Sequence, residues 1–295
     1  VDKVIESGTW ALTELSNLAE PKDDTFKADL ENIVISHDEL DELSSIKLHT
    51  SNVGEEKSPE EFLERVIFLH RFGDREYSRK SVWSNERIGV GFLITSRYVL
   101  ASMHNLALPQ KGRKVMAFND GAFYDGQITA ISRKYDLALF RLNKEFRKVE
   151  PVELAHENTL KRGEIIYLPT KVNTSKISYR YMEGETPITV RNPDVKPVVR
   201  KGAFTGTGML YFNYQPDLGN HHQKGLFSTI SSQEYMSGSP VVNSKSKLVG
   251  VAIGEKRDEK ITFSVLPSDI FNFIRNYAEE AEKHYAGNTG KGKVK

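Results

Sequence analysis

From about Arg65 onward the sequence is cut into short apolar runs, and nearly every run is closed by a turn signal. Val66-Ile67-Phe68-Leu69 is the first, Ile88 to Thr95 the second, and Tyr98-Val99-Leu100-Ala101 follows a tight Ser96-Arg97 turn. Val115-Met116-Ala117-Phe118 runs into Asn119-Asp120-Gly121, and Gln127 to Ile131 and Leu137 to Leu142 complete the set. Runs of this length read as strands, and about six of them within roughly 80 residues leave no room for crossover helices. No βαβ alternation is present, so the pattern predicts an antiparallel sandwich or barrel.

A second set begins near Gly163. It comprises Ile165 to Leu168, Ile177 to Tyr181, Ile188 to Val190, Met209 to Tyr214, Leu226 to Ile230, Val241-Val242, Leu248 to Ile253 and Ile261 to Val265. The stretch from Asn143 to Asn158, with Pro151, is the natural connection, which divides the β region into residues 65–150 and 151–266. The halves match in pattern, not in sequence. Residues 1–64 differ. Val4, Ile5, Ala11, Leu12, Leu15 and Leu18 recur at roughly helical spacing before Pro21, and acidic residues follow at Asp38, Glu39, Asp41 and Glu42. They predict a helical N-terminal extension, read as a collar on the main domain, a prosegment or a partner-docking arm. Near the end, Ser268 is a candidate cap for a helix over 267–286 whose apolar stripe is Ile270, Phe273, Ile274, Tyr277 and Ala281. Gly287 is expected to end it, and the Gly- and Lys-rich stretch 287–295 to be disordered. The basic scatter from Arg191 to Lys201, with two prolines, reads as a loop.

Lys and Arg number 41 against 40 Asp and Glu, a formal net charge of +1, which excludes the simplest electrostatic nucleic-acid binder. Cysteine is 0, which excludes disulfides, zinc–thiolate sites, iron–sulfur clusters and a cysteine nucleophile. Apolar runs such as Gly91-Phe92-Leu93-Ile94 fall far short of the roughly 18 residues of a membrane span. His221-His222, with Asp217 upstream, matches no standard ligand spacing and reads as a solvated loop, so no metal and no cofactor is expected.

Three segments carry the candidate chemistry. Strand, turn and strand deliver His104 just past a strand end, Asp136 opens the buried run Leu137-Ala138-Leu139-Phe140, and Ser237 lies in the turn Met236-Ser237-Gly238-Ser239-Pro240. Each alone is weak. Together they give the order His, Asp, Ser, the first two in one strand set and the third in the other. A serine hydroxyl is a poor nucleophile until a base takes its proton; a histidine supplies that base, and a buried carboxylate fixes its tautomer.

With these residues in place, the sequence resembles the trypsin/chymotrypsin-like serine peptidases over roughly residues 65 to 285. It looks most like the disulfide-free bacterial branch that includes glutamyl endopeptidases, staphylococcal exfoliative toxins and HtrA peptidases. The likeness rests on the glycine strand before His104, the Asp136-Leu137-Ala138-Leu139 strand, Ser237-Gly238-Ser239-Pro240 followed by Leu248-Val249-Gly250-Val251, and the helix after Ser264-Val265-Leu266-Pro267. The resemblance implies a mainly β fold of two antiparallel six-stranded barrels with the active site between them. His104 would be the general base, Asp136 its orienting partner and Ser237 the nucleophile. The implied function is a serine endopeptidase acting through an acyl-enzyme. The alternatives are a partner-activated protease, with residues 1–64 docking the partner, and a catalytically weak binding module. The implied partner is a protein or peptide substrate, and the implied location is secreted or periplasmic, with the cytoplasm as alternative.

The sequence departs from the family pattern at the oxyanion hole. By resemblance it is built from the amides of Ser237 and Tyr235, and the second position is usually glycine because positive φ is often needed there; a bulky residue at positive φ costs of order 1 kcal/mol. Met236 stands where trypsin-type zymogens carry an aspartate that pairs with a freed N-terminus. The implied specificity pocket has its base near Ser231 and Ser232, its wall near Ala252, Ile253 and Gly254, and Glu255 at its rim. No acid lies at the base, which argues against Arg or Lys preference. Ala252 stands where glutamyl endopeptidases carry a histidine, which leaves acidic preference to His221 or His222 entering from a loop. A small or medium apolar residue is the reading favoured.

Overall fold

The computed structural model describes residues 26–28, 30, 33–51, 53–72, 89–106, 114–119, 122–145, 147–173, 178–183, 186–191, 195–213, 220–232, 236–256 and 259–291. The first sheet contains β1 (Phe26–Ala28), β3 (Val66–Phe72), β4 (Gly89–Leu93), β5 (Tyr98–Ser102), β6 (Lys114–Asn119), β7 (Ala122–Ser132) and β8 (Leu137–Leu142). Its order is β1-β7-β6-β3-β4-β5-β8, and a further β7–β8 pairing closes the ring β3-β4-β5-β8-β7-β6, leaving β1 outside. The second sheet contains β2 (Lys47–His49), β9 (Glu153–Ala155), β10 (Ile165–Asn173), β13 (Val195–Asn213), β14 (Asn220–Ser228), β15 (Pro240–Val242), β16 (Leu248–Lys256) and β17 (Ile261–Val265). A β15–β16 pairing closes β10-β13-β14-β17-β16-β15 into a second ring, with β9 and β2 added on the β16 side. These are the two antiparallel barrels of six strands that the resemblance implies. The strands β11 (Ser178–Glu183) and β12 (Thr186–Arg191) form a separate hairpin.

The burial pattern explains the unbroken apolar runs. Val99 and Ala101 of β5, with Ala138 and Phe140 of β8, fill the first barrel. Tyr98, Leu100, Leu137 and Leu139 on the opposite faces join Val251, Ile253 and Val265 of the second barrel in a shared layer. A strand buried on both faces has no polar face to alternate with. The helix α3 (Pro267–Lys291) packs its stripe of Ile270, Phe273, Ile274, Tyr277 and Ala281 into that layer, all at most 1% exposed.

The N-terminal segment adds short strands to the helices expected over residues 1–64. Residues 1–25 lie outside the described residues. The described remainder holds the two-turn helix α1 (His37–Ser44), a 3-10 helix over Pro59–Arg65, and two strands that join different barrels: β1 pairs antiparallel with β7, and β2 parallel with β9. Three-residue strands pair through their backbones, so their side chains leave almost no trace in the sequence pattern. Ile33, Ile35, Leu40, Leu43, Ile46 and Phe62 lie in the shared core. Ser36 and Glu39 form a capping box at α1. Glu39, 4% exposed, also accepts from Arg141 Nε at 3.0 Å and Nη2 at 3.1 Å, so the segment neutralises an arginine carried by β8.

Three smaller expectations are also corrected. Much of the predicted loop 191–201 is strand, because β13 begins at Val195. Pro197 lies opposite Lys171 of β10, and β14 pairs with β13 only from Phe204 onward, so the proline occupies an unpaired edge that needs no donor. His221 and His222 belong to β14, not to a loop. The final helix passes Gly287 to reach Lys291, since a helical glycine costs only about 1 kcal/mol; residues 292–295 lie outside the described residues.

Nor does Ser268 cap α3. Its hydroxyl donates to Glu157 Oε1 at 2.9 Å and its N–H to Glu157 Oε2 at 3.4 Å, so a carboxylate from the turn Glu157–Thr159 satisfies the helix start. That carboxylate bears on Asp269 in the first helical turn. Burial first, then the Glu157 charge, push Asp269 up to about 6 from its ordinary 3.8, against Lys134, a hydrogen bond from Tyr135 and Lys224. A carboxyl raised in the fold favours the protonated form, so its contribution is present below about pH 4 and is lost as pH rises through 6. Asp269→Asn is expected to flatten the pH dependence of Tm between pH 4 and 6. At pH 7 it should stabilise by about 1 kcal/mol, once the favourable helix-end charge is deducted. Thermal melts from pH 4 to 8 read this directly, and a variant less stable at pH 7 than at pH 4 would contradict it.

Candidate active site

His104 follows β5 in the short helix α2 (Met103–Leu106), and Asp136 is the last residue of the Arg133–Asp136 turn joining β7 to β8. The β5–β8 pairing, with Ser102 opposite Leu137, brings the two together. His104 Nδ1 lies 2.6 Å from Asp136 Oδ2, the His104 backbone N–H donates to Asp136 Oδ1 at 2.9 Å, and the Met103 N–H donates to the Asp136 carbonyl at 2.9 Å. The carboxylate only accepts, so Nδ1 carries the proton and Nε2 presents a lone pair. Asp136 is 1% exposed, and its backbone is left-handed with φ 53°, a conformation that Asp tolerates better than most residues. The His104 side chain is 17% exposed and Ser237 is half-buried, so both reach solvent while the carboxylate between the strands does not.

Ser237 comes from the second barrel, in the turn before β15. The turn is fixed by backbone bonds: Ser239 N–H to Met236 O at 3.0 Å, Gly238 N–H to Ala252 O at 2.7 Å, and Ala252 N–H to Ser239 O at 2.9 Å. Gly238 has φ +91°, and a Cβ there would lie 1.9 Å from the Val90 carbonyl oxygen. Glycine is therefore what lets the turn lie against β4. Across that contact the Val90 N–H donates to the Ser237 carbonyl at 3.4 Å, and Asn105 Nδ2 donates to the same oxygen at 2.9 Å. The structure thus joins His104 to Asp136 directly, and the His104 turn to the Ser237 backbone through Asn105. The Ser237 hydroxyl itself is turned to the Ile253 carbonyl, at 3.4 Å.

Of the remaining site residues, Tyr235 lies outside the described residues. Met236, 1% exposed, packs in the second barrel with Ile166, Leu168 and Val241, an apolar setting for the position before Ser237. Ala252 and Ile253 send their side chains into the second barrel and the shared layer respectively, and offer carbonyls to the serine turn. Gly254 and Glu255 are half-buried. Ser232 is buried and Ser231 exposed, the Ser231 carbonyl accepting from Arg200 Nη1 at 2.7 Å. Thr262 Oγ1 holds the preceding Ile230 carbonyl at 2.6 Å. Sequence reasoning passed over Asn105 and Arg200. Asn105 had a signal in Gly89, the small residue opposite it; Arg200 was hidden in the stretch taken as a loop.

Among the described residues no cluster of His, Cys, Asp and Glu could hold a metal ion, and no helix is long and apolar enough to cross a membrane. A family model described as the trypsin-like peptidase domain matches residues 82–251. No curated protein matches the sequence. Among solved structures, the chain is similar to the active form of the Rv3671c protease from M. tuberculosis, with 13% identity and a TM-score of 0.55 over 78% of this chain and 88% of that one. It is also similar to an inactive form of the Rv3671c protease, with 13% identity and a TM-score of 0.52 over 79% of this chain and 99% of that one. At such identity the likeness is one of fold. The family model spans more than half of the sequence and includes the segments of His104, Asp136 and Ser237, and on that match the chain belongs to the trypsin-like peptidases, a family of serine proteases.

Proposed function

We propose that the protein is an endopeptidase that hydrolyses peptide bonds through an acyl-enzyme on Ser237. The observation that carries the reading is the 2.6 Å bond between His104 Nδ1 and the buried Asp136 carboxylate, which holds the imidazole proton on Nδ1 and makes Nε2 the basic nitrogen. In the reaction His104 Nε2 takes the hydroxyl proton as Ser237 Oγ bonds to the scissile carbonyl carbon. The carbon–nitrogen bond then breaks, and the proton passes from Nε2 to the leaving amine. Water repeats the sequence against the ester and releases the acid. Asp136 keeps its charge throughout and stabilises the imidazolium. The Ser237 N–H is one donor for the oxyanion, and the resemblance assigns the Tyr235 N–H as the second. The 3.4 Å contact of the Ser237 hydroxyl with Ile253 is at the outer limit of a hydrogen bond, so turning the hydroxyl toward His104 costs little.

A chromogenic ester tests the covalent step. Wild-type protein is expected to release a burst of about one equivalent of chromophore before the steady state, and Ser237→Ala none. Steady hydrolysis without a burst, equal in both proteins, would overturn the reading. Asp136→Asn is expected to lower kcat about ten-thousand-fold near pH 7, because an amide can donate to Nδ1 and so move the imidazole proton to Nε2. A loss below about tenfold would contradict the role given to Asp136.

A further inference from the structure

We propose that Asn105 is a positioning residue for the nucleophile, acting through its side-chain amide on the Ser237 carbonyl. The proposal rests on the triad reading above. Asn105 is 7% exposed, and its Nδ2 donates to Ser102 Oγ at 2.7 Å and to the Ser237 carbonyl at 2.9 Å. A carbonyl only accepts, so the NH2 group must face Ser237 and the amide has one possible orientation. Ser102, fully buried, receives the other hydrogen and holds the amide in that plane.

The consequence lies in the peptide that joins Ser237 to Gly238. Its N–H is anchored within the second barrel, on the Ala252 carbonyl at 2.7 Å. Its carbonyl is anchored on the first barrel, by Asn105 at 2.9 Å and by the Val90 N–H at 3.4 Å. Fixing both edges of this plane sets ψ of Ser237, and with it the direction of the Cα–Cβ bond that carries the nucleophile. Without Asn105 only the long Val90 bond remains on the first-barrel side. Asn105 is also one peptide from His104, whose own N–H is held by Asp136 Oδ1. One side chain therefore sets the spacing between the base-bearing turn and the nucleophile-bearing turn. Packing makes room for it: a Cβ on Gly89 would lie 2.7 Å from Asn105 Cβ and 3.0 Å from Nδ2.

The test compares Asn105→Ala, Asn105→Asp and Ser102→Ala with the wild type, by fluorophosphonate labelling rate, by kcat and KM on one peptide substrate, by the pH profile of kcat/KM, and by Tm. Asp keeps the shape of Asn but cannot donate to the carbonyl. Both substitutions at 105 are expected to lower kcat and the labelling rate about ten- to a hundredfold with KM unchanged, and Asn105→Ala, which adds no charge, is expected to leave the acid limb of the pH profile unchanged. Ser102→Ala leaves the Asn105 amide in place without its anchor, so a smaller fall of about threefold to tenfold is expected; it carries the test should the variants at 105 not fold. Labelling and kcat at wild-type levels in the folded variants, or a loss confined to KM, would overturn the proposal and leave the triad standing. A wild-type protein that labels no faster than Ser237→Ala would overturn the triad reading itself, and the proposal with it.

Discussion

Ser237→Ala is expected to lower kcat by about a million-fold and to move Tm by no more than about 1 °C. The two numbers belong together. Catalysis should collapse because the carbon–oxygen bond of the acyl-enzyme has no other atom to form on, and losing the nucleophile of a triad forfeits nearly all that the triad contributes. Stability should hold because Ser237 Oγ has a single long contact, 3.4 Å to the Ile253 carbonyl, while the turn is held by the Gly238, Ser239 and Ala252 backbone bonds. A methyl group fits where the hydroxymethyl group stood. A variant that retained more than about one part in a thousand of wild-type turnover would show that Ser237 is not the nucleophile. A large fall in Tm would show instead that the serine is a structural anchor.

Gly238→Ala has the largest effect expected on stability. Two penalties coincide there. The backbone is at φ +91°, where an L side chain is strained by about 1 kcal/mol, and the added Cβ would lie 1.9 Å from the Val90 carbonyl oxygen. That oxygen belongs to a buried central strand, so the contact is relieved only by lifting the serine turn off β4. Lifting it breaks the Val90 and Asn105 bonds to the Ser237 carbonyl. The combined loss should be about 4 kcal/mol, which lowers Tm by about 10 °C in a chain of this size and removes activity in whatever remains folded. Gly163 offers the control. It has φ +86° and nothing within 4 Å of its would-be Cβ, so alanine there should incur only the backbone term of about 1 kcal/mol. Equal melting temperatures for the two variants would mean that the serine turn is not seated on the first barrel.

Much of the barrel pair was legible because its strands are buried on both faces. Tyr98 to Ala101 and Leu137 to Leu142 stand out as unbroken apolar runs, with Arg141 the sole charge in the second. That charge was itself a sign of a buried partner, but Glu39 lies far off in the sequence, and only the fold brings them together. What the pattern concealed were elements held by backbone bonds. Lys47-Leu48-His49 has one aliphatic side chain in three and becomes a strand because Glu153–Ala155 offers it a parallel edge. The start of β13 was masked by Pro197, which reads as a breaker unless the unpaired edge is known. At the candidate site, His104, Asp136 and Ser237 stood out by residue type and order, since few residue types can fill the roles proposed for them. Asn105 was not, because its role comes from two contacts, one of them with a residue on the other barrel.

The most direct test of the central claim is intact-mass and peptide mapping after treatment with a fluorophosphonate at neutral pH, on wild type, Ser237→Ala and His104→Ala. The mechanism predicts one adduct per chain, mapped to Ser237, absent from Ser237→Ala and strongly slowed in His104→Ala. An adduct on another residue, or labelling of Ser237 at an undiminished rate without His104, would contradict it.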